Sequence, residues 1–393
     1  MRNIAGQAVN GEDFFERPEV IRKIMRELGK DSNILISSPR RVGKTSVLFH
    51  LADVNEEKYL FLYVITQSVS SENEFYRRLY RVIVDSGAAI SSYTRFSLKT
   101  KDYLRNAVSK IKNIKIKGVS AEIDTSEESD YCDLFCNLIN AIPLDGRKLA
   151  IMIDEFTQTV ENIMKKHGET AAIHFLQSMR ERRLDEAMKE RLLFIYTGSI
   201  GLENIAGRLL SSDLINDLPP VKVGPLKEPQ AKRLINELCR NMDFRIDDTV
   251  VDYMLGKIEW FIPFYIQLFI QEIDNIFIDE GGGKVTKAIV EKAFNRMLDH
   301  RNHFEHWQKR LRKTFKKDDY RLAEDILNHV AVRGSITSNE MANIAVKRKK
   351  EDEYKDIVRV LVHDGYINNS DEASAYRFNS PILKTWWNKN VAN

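Results

Sequence analysis

The stretch that decides the fold is Ile34-Leu35-Ile36-Ser37-Ser38-Pro39-Arg40-Arg41-Val42-Gly43-Lys44-Thr45-Ser46. Its apolar start predicts a buried strand, and the apolar periodicity after Ser46 predicts a helix. The turn between them follows G-x-x-x-x-G-K-[ST], with Ser38 in the place of the first glycine. Backbone N–H groups and the dipole at such a helix start favour a polyanion. The stretch therefore predicts a phosphate-binding loop, with Lys44 on the phosphates and the Thr45 hydroxyl in the Mg²⁺ shell.

Three positions in this loop, Ser38, Arg40 and Arg41, need separate interpretation. Serine tolerates a positive φ less readily than glycine, so we expect Ser38 to fit the loop less well. Arg40 and Arg41 either order the loop, face a neighbouring subunit or point into solvent.

A second motif follows about 110 residues later, where the near-continuous apolar run 148–153 ends in Asp154 and Glu155. Such a run predicts a central parallel strand, and its carboxyl end is the edge where open α/β sheets bind ligands. Asp154 would hold Mg²⁺ through water, and Glu155 would polarise the attacking water as a general base. The alternative is a solvated turn with two helix-start charges.

The next predicted strand, 192–196, ends in Thr197, Gly198 and Ser199. The Thr197 or Ser199 hydroxyl would bind the attacking water or the phosphate, unless both simply close a turn. Fast phosphoryl transfer also needs an arginine on the transition-state charge. Solvated helix arginines look the same in a sequence, and the candidates are Arg180, Arg183 and Arg208.

Along the 393 residues, strands alternate with helices up to residue 226, which predicts an α/β P-loop core with a doubly wound parallel sheet. An insertion at about 87–129 interrupts it, and alternating lysine and isoleucine over 110–117 predict an exposed edge strand. Residues 227–316 show only helical periodicity and predict an all-helical lid. Residues 317–393 predict three helices followed by a β-hairpin, the order of a winged-helix domain.

Composition excludes few classes of protein. Hydrophobic residues make up 43% and charged residues 30%, with a formal net charge of +3, so no global field requires a nucleic acid or an acidic membrane. Three cysteines cannot build a disulfide framework, and the spacing of Cys132 and Cys136 predicts core packing rather than a metal site. Without an apolar run of about 18 residues or a secretory start, we expect no membrane span and a cytoplasmic protein.

Two features of the second half have competing interpretations. Pro263 either lies over the nucleotide as a lid contact or begins a helix. The basic run 347–350 precedes the helix that would read a DNA duplex, but the acidic residues 351–353 follow at once. A solvated or protein-facing surface is therefore the alternative to DNA contact. Trp386 and Trp387 are interpreted as an anchor for the end of the chain.

These motifs, with Phe15-Glu16-Arg17-Pro18-Glu19, Thr197-Gly198-Ser199-Ile200-Gly201-Leu202 and Gly224-Pro225-Leu226, resemble the prokaryotic AAA ATPases often called archaeal-type ATPases. Those are relatives of the STAND switch NTPases and the origin-recognition ATPases. The resemblance implies ATP and Mg²⁺ at the loop and carboxylates, Arg17 beside the adenine, and a lid with a Gly-x-Pro turn. Pro263 is kept here, whereas the lid glycine and a clear lid arginine are not, so we expect slow hydrolysis.

The first functional hypothesis is an ATP-binding and ATP-hydrolysing switch of the STAND kind, which couples nucleotide state to an unknown protein partner through the lid and the winged helix. The alternatives are a DNA-binding ATPase of the origin-recognition type and a nucleotide-binding scaffold with little turnover. All three hypotheses allow an oligomer to form when nucleotide binds.

Overall fold

The computed structural model describes residues 1–54, 57–86, 115–117, 120–122, 130–198, 202–209, 211–299, 301–369 and 375–392. Two compact units make up the chain. The sheet unit comprises Arg17–Ser37 and Val47–Lys222, and the helical unit comprises Met1–Glu16, Ser38–Ser46 and Val223–Asn393. The phosphate loop thus belongs to the helical unit. The predicted division into a core over 1–226, a lid over 227–316 and a winged helix over 317–393 stays a prediction.

The sheet unit contains seven strands in its described part, and their order along the chain is β1 (Ile34–Ser37), β2 (Tyr59–Ile65), β3 (Lys115–Lys117), β4 (Ser120–Glu122), β5 (Lys148–Asp154), β6 (Leu192–Gly198) and β7 (Pro220–Val221). Five of them form a parallel sheet in the order β2-β5-β6-β1-β7. β3 and β4 pair antiparallel as a separate ribbon, and most of the predicted edge strand 110–117 lies outside the described residues.

Helices alternate with these strands, and they are α1 (Pro18–Leu28), α2 (Lys44–Asp53), α3 (Glu72–Asp85), α4 (Tyr131–Ala141), α5 (Phe156–His167), α6 (Glu169–Leu184), α7 (Glu186–Lys189) and α8 (Leu202–Arg208). β6 is buried along its whole length and β5 beyond its first residue, as near-continuous apolar runs predict. An aromatic cluster fixes the start of α5, since the Phe156 ring lies 4.6 Å from that of Tyr196 and 5.7 Å from that of Phe175.

The helical unit continues with α9 (Glu228–Cys239), α10 (Asp248–Ile258), α11 (Pro263–Glu280), α12 (Lys287–Asp299), α13 (Arg301–Thr314), α14 (Lys317–Arg333), β8 (Ile336–Thr337), α15 (Ser338–Arg348), α16 (Tyr354–His363), β9 (Ile367–Asn368), β10 (Ala375–Phe378) and α17 (Pro381–Trp387). The last three strands form a small antiparallel sheet in the order β8-β10-β9. This order of elements is consistent with the predicted winged helix, although β8 and α17 were not predicted.

A seam of aromatic side chains packs α13 against the end of the chain within the helical unit. The Trp307 and Tyr366 ring centroids are 5.0 Å apart, and those of Phe304 and Trp386 are 5.8 Å apart. Trp387 is fully buried and its Nε1 donates to Asn328 Oδ1 at 2.8 Å. The prediction that Trp386 and Trp387 anchor the chain end is confirmed.

A buried ion pair lies beside this seam. Arg310 of α13 donates to Asp364 Oδ1 at 2.7 Å, with side-chain exposures of 4% and 1%. Removing one partner of such a pair leaves an uncompensated charge in a medium of low dielectric constant.

No helix in the described part of the chain combines the length and hydropathy needed to cross a bilayer.

We expect Asp364→Ala to lower the free energy of unfolding of the helical unit by about 3–5 kcal/mol, because Arg310 is left buried and unpaired. All four tryptophans, Trp260, Trp307, Trp386 and Trp387, belong to this unit, so tryptophan fluorescence in a urea titration follows its unfolding. The control is Asp356→Ala, which removes the exposed pair of Asp356 and Arg359 on α16 and should shift the midpoint little. Equal shifts for both variants would contradict the buried-charge explanation.

Candidate functional site

The phosphate loop turns between β1 and α2 with two residues in the left-handed region, Arg41 at φ 66° and Gly43 at φ 94°. Ser38 is not among the residues with positive φ, so the strain expected there is absent. Instead its buried hydroxyl accepts a hydrogen bond from the Val223 N–H at 2.7 Å. The serine ties the start of the loop to the first residue of the helical unit's main segment, a bond that glycine cannot make.

Lys44 begins α2, and its ammonium lies inside the turn of its own loop. Nζ donates to the Ser38 carbonyl at 2.9 Å and to the Pro39 carbonyl at 2.8 Å. The side chain is buried, so its charge is poorly hydrated and acts strongly on an anion bound in the turn. Thr45 is half-buried, and Ser46 Oγ accepts the Val9 N–H at 3.2 Å.

Arg41 connects the loop to α11. Its guanidinium carbon lies 3.9 Å from the centroid of the Phe264 ring, which is close cation–π geometry. Burial lowers the pKa of Arg41 to about 10, and the neighbouring charge of Arg40 acts in the same direction. Pro263 is the first residue of α11, so the proline begins a helix and the residue after it carries the loop contact.

Pro39 connects the same loop to the turn after α16. Gly365 in that turn has a φ of 82°, and a Cβ placed on it would lie 2.6 Å from Trp260 Cη2 and 3.4 Å from Pro39 Cβ. Only glycine fits this backbone and this space. Within the helical unit, the phosphate loop therefore contacts both the start of α11, through Arg41, and the turn after α16, through Pro39.

In the sheet unit, Asp154 ends β5 with its carboxylate enclosed by donors. Thr197 Oγ1 donates to Asp154 Oδ1, the Glu155 N–H donates to the same oxygen at 3.0 Å, and the Tyr63 hydroxyl donates to Oδ2 at 3.2 Å. Burial and the nearby Asp154 carboxylate raise the pKa of Tyr63. Asp154 is 5% exposed, so these bonds fix its rotamer. A carboxylate held in this way suits a hard divalent cation such as Mg²⁺.

Glu155 adopts the left-handed conformation, φ 58° and ψ 33°, at the start of α5. This conformation is costly for a residue other than glycine, by about 1–3 kcal/mol, and concentrates at functional positions. The side chain is half-buried. Its side chain makes no cap bond to α5, and its predicted role as general base stays a prediction.

The register of the parallel strands places Asp154 and Thr197 at one edge of the sheet. Ser37 pairs with Gly198, and Ile153 pairs with Tyr196, so β1, β5 and β6 end at one edge of the sheet. Thr197 is fully buried and its hydroxyl is committed to Asp154. The geometry gives Thr197 a positioning role, while its predicted contact with the attacking water stays a prediction.

The three candidates for the catalytic arginine have different surroundings in the structure. Arg183 is buried, pairs with Asp217 at 2.7 Å and donates to the Leu214 carbonyl at 2.7 Å, so its candidacy as a catalytic arginine is wrong for a structural reason. Arg180 Nη2 lies 3.5 Å from Asn216 Oδ1. Arg208 ends α8, but its side chain, like all of Ser199, lies outside the described residues.

Arg17 precedes α1 and is buried, and burial lowers its pKa. Its predicted place beside an adenine stays a prediction. Sequence reasoning missed Tyr63, Phe264 and Gly365. Tyr63 and Phe264 read as core aromatics in apolar patterns, and only the fold shows that one bonds Asp154 and the other carries Arg41.

No protein-family model matches this chain, and no curated protein matches it. Among solved structures it is similar to the Walker-type ATPase PABY2304 of Pyrococcus abyssi, with 17% identity and a TM-score of 0.65 over 98% of this chain and 99% of that one. It is also similar to the Aeropyrum pernix ORC2 protein in its ADPNP–ADP complexes, with 10% identity and a TM-score of 0.55 over 95% and 93% of the two chains. The predicted fold class, an α/β P-loop core with a parallel sheet, is confirmed, and the chain shares the fold of these two proteins.

We expect Ser38→Gly, which restores the consensus glycine, to lower the free energy of unfolding of the helical unit by about 1–3 kcal/mol, because the buried Val223 N–H loses its acceptor. Ser38→Ala should cost nearly as much. The exposed Ser338→Ala in the same unit is the control. A Ser38→Gly protein as stable as the wild type in the tryptophan-monitored urea titration would contradict the role given to this hydroxyl.

Proposed function

We propose that this chain is an ATP-binding switch that hydrolyses ATP slowly and passes the nucleotide state of its phosphate loop to the lid and the winged helix. The observation that carries the proposal lies within the helical unit, where Arg41 stacks on Phe264, and Pro39 and Trp260 both lie against Gly365. A loop that bound phosphate without transmitting a conformational change to other elements would need neither the Arg41 contact nor the Pro39 contact.

The physical basis is competition for Arg41. A guanidinium stacked on an aromatic ring is poorly hydrated, and a phosphate offers it stronger, bidentate hydrogen bonds. A polyanion in the loop therefore favours release of Phe264 and a changed packing at the start of α11. Because Pro39 lies in the same turn, a shift of the loop also acts on the Gly365 turn.

In the proposed nucleotide site, Lys44 and the other loop residues, Ser38 to Ser46, hold the phosphates, and Thr45 and Asp154 supply oxygen ligands for Mg²⁺. The hydroxyl and carboxylate are the hard donors that this ion prefers. When bound, the ion neutralises charge on the phosphate oxygens. Glu155 orients and deprotonates the water, Thr197 holds Asp154, and Arg208 is the proposed arginine for the transition state. Arg17 is proposed to lie beside the adenine, and Pro263 is proposed as a lid contact of the nucleotide.

The structure weakens the main support for the DNA alternative. Within the basic run, Arg348 pairs with Asp325 at 2.6 Å, and Lys350 pairs with Asp319 at 2.9 Å and with Glu353 at 3.1 Å. Their charges are largely neutralised locally, which reduces the number of phosphates that the run can engage. We therefore propose a protein partner, reached through the lid or the winged helix and in some cases through a nucleotide-dependent oligomer.

Glu155→Gln should bind ATP–Mg²⁺ normally and lose turnover by at least about 100-fold, because the amide cannot take the proton of the attacking water. Lys44→Ala, measured beside it, should lose binding as well. Fluorescent ATP titration and phosphate release separate the two effects. Retained turnover in Glu155→Gln would refute its role as base, and wild-type turnover that rises many-fold only with duplex DNA would favour the origin-recognition alternative.

Arg41→Gly, which keeps a residue suited to a positive φ, should retain saturable ATP binding but lose the ATP-dependent change in tryptophan fluorescence. The reason is that Arg41 contacts Phe264 at the start of α11, and Trp260 lies in the segment that leads into this helix. Arg40→Ala is the neighbouring control and should keep the fluorescence change. An unaltered change in Arg41→Gly would show that the Phe264 contact does not transmit nucleotide state.

A further inference from the structure

A pair of thiols and an arginine lie together in the sheet unit, where α3, α4 and α6 pack on one another. Cys132 is in the first turn of α4, and Cys136 follows one helical turn later on the same face. Arg182 of α6 reaches across, and its Nη2 lies 3.4 Å from Cys132 Sγ. Both cysteines are half-buried, so a small reagent can reach them.

The partner of Arg182 is unusual. Within the described residues it makes no ion pair with a carboxylate, and its buried Nε has no hydrogen-bond partner. Arginine stays charged in proteins, so a half-buried guanidinium favours any neighbour that can become an anion. The groups that can do so here are the two thiols and the Tyr76 hydroxyl.

The surroundings of Cys132 favour its thiolate. A hydrogen bond from the Cys136 thiol, together with Arg182 and the Tyr76 hydroxyl, lowers the pKa of Cys132 to about 6, although burial opposes this. The start of α4 adds the favourable helix dipole. Among the residues that the structure describes, three carboxylates oppose negative charge in this cluster. Asp130, at the N-cap of α4, accepts the Cys132 N–H at 2.9 Å; Asp133 acts on Cys136, and Glu72 of α3 acts on the Tyr76 hydroxyl. By contrast, burial raises the pKa of Cys239 to about 11.

We propose that Cys132 and Cys136 form a peroxide-reactive dithiol site in which Cys132 is the nucleophile, Cys136 the resolving thiol and Arg182 the positioning residue. The Cys132 thiolate attacks one oxygen of hydrogen peroxide; the O–O bond breaks, hydroxide leaves, and Cys132 becomes a sulfenic acid. That hydroxide takes the proton of the Cys136 thiol, and the resulting thiolate attacks the sulfenic sulfur and displaces a second hydroxide, which takes up the proton that Cys132 lost when it ionised. In total, two thiols and one peroxide give one disulfide and two waters.

The second step has a structural consequence. Side chains four apart on a helix have Cβ atoms about 5–6 Å apart, whereas a disulfide needs about 3.5–4.5 Å. The bond therefore requires the first turn of α4 to open, which breaks the capping bonds from Cys132 and Asp133 N–H to Asp130. Oxidation at this site is thus coupled to unwinding of one helix start.

Treatment of the full-length protein with equimolar hydrogen peroxide tests the chemistry. The tryptic peptide 118–147 contains both cysteines and should lose two hydrogens as the disulfide forms. In Cys136→Ser, the same treatment should leave a sulfenic acid at Cys132 that dimedone traps. Cys239→Ser is the control and should leave the disulfide yield unchanged. Absence of the disulfide in the wild type, or a Cys132 sulfenic acid that persists there, would overturn the proposal.

Alkylation by iodoacetamide across pH tests the role of Arg182. A pKa near 6 instead of about 8.5 gives roughly 30-fold more thiolate at pH 7. Nucleophilicity falls as the pKa falls, so the net gain in rate is only a few-fold. The midpoint of the pH profile is therefore the sharper readout.

The Cys132 midpoint should lie between about pH 6 and 7 in the wild type and rise by at least about one pH unit in Arg182→Gln. Arg180→Gln, on the same helix, removes a charge that does not contact the thiol and should leave the midpoint unchanged. A wild-type midpoint above pH 8, or equal midpoints in the wild type and Arg182→Gln, would overturn the proposal. Circular dichroism of each variant confirms that a changed midpoint does not come from lost folding.

Discussion

The parallel pairing of β1 with β6 is the constraint on which the candidate site depends. It sets Ile36 opposite Thr197 and Ser37 opposite Gly198, so the chain leaves the sheet for the phosphate loop at the edge where β5 ends in Asp154. A slip of one residue would reverse the faces of every side chain on β1. The apolar residues of β1 are buried, which makes such a slip costly and the register unique.

Strain and enclosure mark the two halves of the proposed chemistry. Arg41 and Glu155 both adopt the left-handed conformation, one in the loop and one after β5. Such residues persist only where their surroundings over-determine them. Arg41 is held by the Phe264 ring, and the residues on either side of Glu155, Asp154 and Phe156, are buried in the sheet unit. The packing around these two residues offsets the cost of their backbone conformations.

Sequence reasoning performed best where one local pattern dominates. The strands β5 and β6 begin at Lys148 and Leu192, where their apolar runs predict. It missed β8 and α17, since a two-residue strand and a seven-residue helix are too short to show a clear periodicity. The poorer fit expected for Ser38 assumed a positive φ. The structure has no positive φ there, because a match to a consensus sequence does not determine the backbone conformation of a position. Arg183 looked like any other helix arginine until its partner Asp217 was known.

By itself, the sequence determined the class of fold and the nature of the loop. The apolar runs predict the strands, and a glycine, a lysine and a hydroxyl residue at fixed spacing predict the phosphate loop. Both signals are local, because each depends only on residues that are close together in the chain. The tertiary structure decided which side chains meet: Thr197 and Tyr63 on Asp154, Phe264 under Arg41, Trp260 against Gly365, and Arg182 on Cys132. Those partners are far apart in the chain, and their contacts depend on packing that no short window of sequence contains.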